Sequence, residues 1–542
     1  MTVEKARALV AAGFFCLVAA LGGVAQAAEL YPGCAQPGPT GKVWWVDPVN
    51  GKTPADGGDG SQAHPWNALQ GVLFFKFPQG YARPLLSSVP YYHVVEGKRV
   101  YVADQLGSPP VQPGDTIMLM SGNYGDIVIG DYSKQVVNPS FVTVEAASGQ
   151  TPVFSTLYIR STTKWVFKDI KVQSLLGANN NKLSLVTVTD QGAALPTSDI
   201  ILQNMQVSSA DSTDGWTKEQ WLARVRVIGI LAQGGDKGAD TTCVSVTNSH
   251  ISKVIFGAEV MANNMLFSGN EIDRFGDDGI DYAASNILIA KNYIHDALDL
   301  GNGAHMDGMQ GYPGSFSNVV IDSNRIIRQT DPELPFPTYL QAIDAFDGDW
   351  TNLTVTNNVV VTSSCWGIFY GSVHGGRIIN NTVVDDGTDA GTKNPAGKVV
   401  CRPAITVADK THQGSPSGDV IIRNNIANHL TIYNVDPNMT MDHNICLGIS
   451  GKCQIVTYVD GKPDWNTVKP GIYRDRNIID GRGARSMFVD FDPAKLVYDP
   501  RLKPGAPAIG AGNPEGAPPV DITGAPRRSP VDVGAYQLSP GK

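Results

Sequence analysis

Short runs of alternating apolar and polar residues recur through the middle of the chain. They read NMLFSGNEI (264–272), SNILIAKNYI (285–294), SNVVIDSNRII (317–327), TNLTVTNNVVV (351–361), GRIINNTVV (376–384), DVIIRNNIA (419–427) and NMTMDHNICL (438–447). Alternation in twos is the period of a β-strand. Each run carries an Asn followed, after one intervening residue, by an apolar residue, and the aligned residues are Asn270, Asn292, Asn324, Asn358, Asn381, Asn425 and Asn444. The spacings are 22, 32, 34, 23, 44 and 19, a base period near 22 with insertions, so loops of about ten residues are expected in the 32- and 34-residue intervals after Asn292 and Asn324. No long segment sustains a period of 3.6. A repeat of this kind predicts an all-β parallel solenoid, in which each coil buries its apolar face against the next. The aligned Asn residues are expected at bends, in left-handed conformations. A propeller blade would need about 40–45 residues and its own motif, which is missing.

The ends read differently. Lys5 and Arg7 precede an apolar run over 8–24, and Ala25-Gln26-Ala27 follows. That pattern is a secretory signal peptide over residues 1–27, so the protein is expected to be secreted, extracellular or periplasmic. No later stretch approaches the ~18 apolar residues of a membrane span. Trp66, Leu69, Val72, Leu73 and Phe74 fall on one helical face, so 28–110 is read as an entry segment with a cap over the first coil. The solenoid is placed at 111–490 and a Pro-rich tail along its outside at 491–542.

Composition narrows the partners. The chain has 542 residues, with 42 Lys and Arg against 51 Asp and Glu, a net charge of −9, and no basic block. That excludes the electrostatic footprint of a nucleic-acid binder. Six cysteines lie beyond the signal; Cys446 and Cys453 flank a short loop and are the best disulfide pair. No CxxC motif points to zinc.

Three segments resemble the right-handed parallel β-helix proteins of the pectate-lyase type. VWWVDPVNGKTPADGGDGSQAHPWNALQ (43–70) is similar to their entry segment, PGDTIMLMSGNY (113–124) to their first coil, and DPRLKPGAPAIGAG with PVDVGAYQ (499–512, 530–537) to their closing tail. The resemblance implies a single-stranded right-handed parallel β-helix with an N-terminal cap and an extended C-terminal tail. It does not fix an activity, because that fold hosts lyases, hydrolases, epimerases and non-enzymes.

A second pattern, x-Gly/Ala-apolar-x, opens the coils: Phe256-Gly257-Ala258-Glu259, Asp278-Gly279-Ile280-Asp281, Asp307-Gly308-Met309-Gln310, Gln341-Ala342-Ile343-Asp344 and Trp366-Gly367-Ile368-Phe369. The apolar third position should point inward and the fourth outward, giving a column of Glu259, Asp281, Gln310, Asp344 and Phe369. The catalytic candidates are Asp281, Asp307, Asp344, Asp278 and His305, with His295 and His374 weaker. Carboxyls at different pKa values suit acid and base roles in glycosidic cleavage. Asp307 is the expected acid, its pKa raised by Asp278 and Asp281, and Asp281 or Asp344 orients water. Substrate-binding candidates are Glu259, Gln310, Arg274, Arg328, Lys253, Trp366, Phe369 and Tyr370; Trp350 is a further aromatic candidate. The cations could equally be paired with the aspartates. Gly276-Asp277-Asp278 and His305-Met306-Asp307-Gly308 resemble polygalacturonase motifs, but in reversed order and without a following Arg-Ile-Lys. Pectate and alginate lyases use Arg or Lys as base, often with Ca²⁺, and their motifs find no residue-by-residue match.

The expected function is cleavage of glycosidic bonds in a polysaccharide by carboxylate acid–base hydrolysis. The alternatives are β-elimination on a uronate polymer and a non-catalytic carbohydrate-binding or structural β-helix. No cofactor is required by the favoured reading, though Ca²⁺ could join Asp278, Asp281 and Asp307. The polysaccharide is the expected partner, and the chain is read as a monomer.

Overall fold

The structure is a computed structural model. It describes residues 30–538 except 54–55, 70–74, 77–81, 84–91, 96–97, 102–110, 131–136, 176–183, 191–194, 235–239, 388–401, 409–416, 434–437, 448–454, 460–461, 465–475 and 480–482. The signal peptide and the cap positions Val72, Leu73 and Phe74 lie outside these residues. Two compact units are formed, one from 28–287 with 300–303 and the other from 288–299 with 304–542.

The first unit is built of parallel strands in stacked coils. One sheet runs through Thr163–Lys168, Thr197–Gln203, Thr241–Thr247 and Met265–Ser268. A second runs through Lys171–Gln173, Gln206–Ser208, His250–Val254 and Glu271–Phe275. A third runs through Ser184–Thr189, Ile228–Gln233, Phe256–Met261 and Ile280–Tyr282. Val43–Val46 adds in parallel to Thr116–Leu119, and Trp44 stacks on the buried Trp66 at 5.2 Å. The helix Lys218–Arg224 carries a capping box between Thr217 and Gln220 and buries Trp221. Cys34 and Cys243 form a disulfide across 209 residues of sequence.

The second unit repeats the plan. Its coils stack Asp307–Gly311, Gln341–Ala345, Trp366–Tyr370, Ala404–Val407 and His429–Tyr433 in one sheet. Ser315–Asp322, Asp349–Thr356, Arg377–Ile379, Ile421–Arg423 and Thr440–Asp442 make another. Tyr293–His295, Arg325–Ile327, Val359–Thr362, Thr382–Asp385, Ile426–Ala427 and Ile445–Cys446 make the third. The tail packs Met487, Phe488, Phe491 and Tyr498 against Val359, Val361, Val384 and Ile426. Arg527 donates to Asn357 Oδ1 at 2.7 Å and to the Gly534 and Ala535 carbonyls at 3.0 and 3.1 Å.

The aligned asparagines do something other than expected. They are buried and are not left-handed; the residue before each one is, from Lys291 and Ser323 to Asn357, Asn380, Asn424 and His443. In the second unit the side-chain amides stack between coils instead. Asn324 Oδ1 accepts from the Asn292 backbone N–H and side-chain amide, both at 2.9 Å. The same double bond recurs from Asn324 to Asn358, Asn358 to Asn381, Asn381 to Asn425, Asn425 to Asn444 and Asn444 to Asn477. An amide carries both donor and acceptor, so it can propagate such a ladder where a carboxylate could not.

The 32- and 34-residue intervals form loops, as their spacing predicts. In the second unit, Leu298 bridges to Pro337 and the Asp299 N–H bonds the Phe336 carbonyl at 2.9 Å. Asp296 anchors this arrangement, accepting from the Thr330 N–H at 2.7 Å, the Thr330 hydroxyl at 2.8 Å and the Asp331 N–H at 3.2 Å.

Candidate active site

The glycine-containing motif explains how the site is positioned. A Cβ on Gly257 would meet the Gly279 carbonyl oxygen at 2.3 Å, and one on Gly308 would meet the Ala342 oxygen at 2.8 Å. The chain of the next coil passes directly over this position. The third motif position is core throughout: Ala258, Ile280, Met309, Ile343 and Ile368 are all buried. The fourth positions align between neighbouring strands, Glu259 with Asp281 in the first unit and Gln310 with Asp344 and Asp344 with Phe369 in the second.

Asp307, three residues before Gln310, would face inward in a straight strand. The Gln310 amide donates to Asp307 Oδ2 at 3.0 Å. His305 Nδ1 lies 3.3 Å from the same oxygen, with its side chain 61% exposed. Asp307 and Asp344 are both fully buried, in the paired strands Asp307–Gly311 and Gln341–Ala345. The Asp307 carboxyl has a raised pKa. Burial is the main cause, opposed by His305 and by Asp344. Asp278 and Asp281 are not among those causes.

Beside this pair lies a cluster of three rings. Phe346 stacks on Phe369 at 4.5 Å, and Trp366 meets Phe369 edge-on at 4.9 Å and Phe346 at 5.4 Å. Phe346 was missed in the sequence, although it stands two residues after Asp344 and alternation puts both on one face. Tyr370 and Trp350 are fully buried core residues in T-shaped contact at 6.1 Å, so neither offers a surface to a sugar. Tyr370 directly follows the outward Phe369 and must therefore point in.

Other candidates sit elsewhere. In the first unit Asp278 and Asp281 are buried, and burial raises the pKa of Glu259. Arg274 bonds Asp273 at 3.2 Å, and Asp273 also holds His250 Nε2 at 2.7 Å. Lys253 is half-buried beside these groups, with its pKa lowered by burial. His250, Glu271 and Asp273 bring possible metal-ligating atoms within 4.8 Å of one another. In the second unit Arg328 is locked into a buried ion pair with Asp386 and donates to the Thr338 carbonyl at 3.1 Å. His295 bonds Asp296 at 2.7 Å, and His374 approaches Asp349 at 3.5 Å. Cys446 is disulfide-bonded, and Cys453 lies outside the described residues. Sequence distance hid the Cys34–Cys243 pairing.

Residues 179–388 match the family model described as a right-handed β-helix region. The fold is a right-handed parallel β-helix. Among solved structures, the pectate lyase Pel9A is 14% identical, with 95% of this chain and 100% of that chain covered and a TM-score of 0.41. A GH136 lacto-N-biosidase from Eubacterium ramulus is 12% identical, covering 77% of this chain and 68% of that one, with a TM-score of 0.38. A PL6 family polysaccharide lyase from Pseudopedobacter saltans is 13% identical, covering 68% and 87%, with a TM-score of 0.28. No curated protein matches the sequence. Among the described residues, no helix is long and apolar enough to cross a membrane.

Proposed function

We propose that this protein is a secreted enzyme that cleaves glycosidic bonds in a polysaccharide by carboxyl acid–base hydrolysis. The observation that carries the reading is the burial of two carboxyls, Asp307 and Asp344, in paired strands, with Gln310 and His305 bonded to Asp307. Folding alone gives no reason to bury two carboxyls together, since burial disfavours the charged form of each. Burial raises the Asp307 pKa, which favours the protonated acid that a departing glycosidic oxygen needs. Asp307 is the acid in this reading, and Asp344 orients the attacking water as base. His305, exposed and against Asp307, returns the proton from solvent. No step runs through a cation.

The Cys34–Cys243 disulfide supports export to an oxidising compartment. One observation favours β-elimination instead: Lys253, whose pKa is lowered by burial, has the character of a lyase base. The test is a screen of neutral and acidic polysaccharides with wild type, Asp307→Asn and Lys253→Met. Hydrolysis predicts new reducing ends without an unsaturated product, lost in Asp307→Asn and kept in Lys253→Met. The reverse pattern supports the lyase. No turnover on any polymer supports a non-catalytic β-helix.

A further inference from the structure

The side chains next to the acid pair bear on which sugars it takes. In the second unit the outward column continues from Asp344 to Phe369, then Thr406, then Thr431, in register in successive strands. Neighbouring strands are about 4.8 Å apart, so this column spans the length of two to three sugar rings. Phe369 and Thr406 in it are buried, and Thr431 is partly exposed. Phe346 and Trp366, both half-buried, widen the aromatic surface around Phe369.

A polyuronate laid along this column would bring a carboxylate on every ring toward Asp307 and Asp344, which already share a buried site. Like charges in such a setting repel strongly unless a cation intervenes. The column supplies none, His305 is engaged with Asp307 itself, and the Arg328 guanidinium of this unit is held by Asp386. A neutral pyranose suits the same surface. Its C–H face packs on an aromatic ring, and its hydroxyls bond to Thr431. Resting on the hydrolase reading above, we infer that the substrate is an uncharged polysaccharide, with one ring seated on Phe346 and Trp366, which Phe369 supports from beneath.

The experiment uses the full-length Asp307→Asn protein, so that binding is read without turnover. Affinity electrophoresis would be run against xyloglucan, galactomannan and arabinoxylan, and against polygalacturonate and alginate. At least one neutral polymer should bind, and both uronates should bind at least about tenfold more weakly. Trp366→Ala and Phe346→Ala in the same background should each weaken that binding by about tenfold, and Phe346→Ala keeps the test open if loss of Trp366 unfolds the chain. Tighter binding of a uronate, no binding of any neutral polymer, or unchanged binding in both folded ring variants would overturn the inference. Turnover by Asp307→Asn, measured separately, would refute the acid-pair reading without touching the binding result.

Discussion

Replacing Asp307 with Asn separates the chemistry of the pair from its architecture. Asn has nearly the same shape. Its carbonyl oxygen can still accept from Gln310 and His305 in place of Asp307 Oδ2, at the observed 3.0 and 3.3 Å. What is lost is a proton that can leave. The expected fall in kcat is about 10²–10⁴, the usual worth of a general acid, or about 3–5 kcal/mol of barrier. Stability should move the other way. A carboxyl whose folded pKa lies above its unfolded one binds more protons when folded, so it costs stability above the unfolded pKa and the cost disappears as pH falls. At pH 7 the melting temperature of Asp307→Asn should therefore equal or exceed that of wild type, and the gap should close toward pH 4. The assay is reducing-end release on the polymer found by the screen, alongside melting curves from pH 4 to 8. Near-normal turnover in a variant that melts normally would refute the reasoning, and so would a large fall in melting temperature at pH 7.

Asp296→Asn should destabilise by about 2 kcal/mol at pH 7: burial would raise its pKa, but bonds from His295 and Thr330 outweigh that and hold it at about 2. This contribution is present above the unfolded pKa and lost as pH falls through about 2, so denaturant midpoints of variant and wild type should converge in strong acid. Asn358→Ala removes an interior rung and strands the buried groups of Asn324 and Asn381, for an expected loss of about 3–5 kcal/mol by urea melts. Cys34→Ser should lower stability by up to about 5 kcal/mol, since its disulfide closes a loop of 209 residues, and reduction should lower the wild-type melting temperature similarly.

The coil repeat was legible because strand alternation and the Asn spacing are local properties of the sequence. The ladder was not, since an Asn in a bend and an Asn bonding the next coil leave the same mark. The motif column was legible in its order, Gln310, Asp344, Phe369, because register in a solenoid follows from stacking equivalent residues. The bond from Gln310 to Asp307 was not. It depends on how the two side chains turn within the strand Asp307–Gly311. Arg328 looked available in sequence because its partner, Asp386, stands 58 residues away. Tyr370 could have been placed in the core by alternation alone.

The most direct test of the central claim is the nature of the bond-cleavage product, measured with wild type and Asp307→Asn side by side. The account predicts new reducing ends with no rise in the ultraviolet absorbance of an unsaturated uronate, abolished by the substitution. An unsaturated product, or undiminished cleavage by Asp307→Asn, would contradict it.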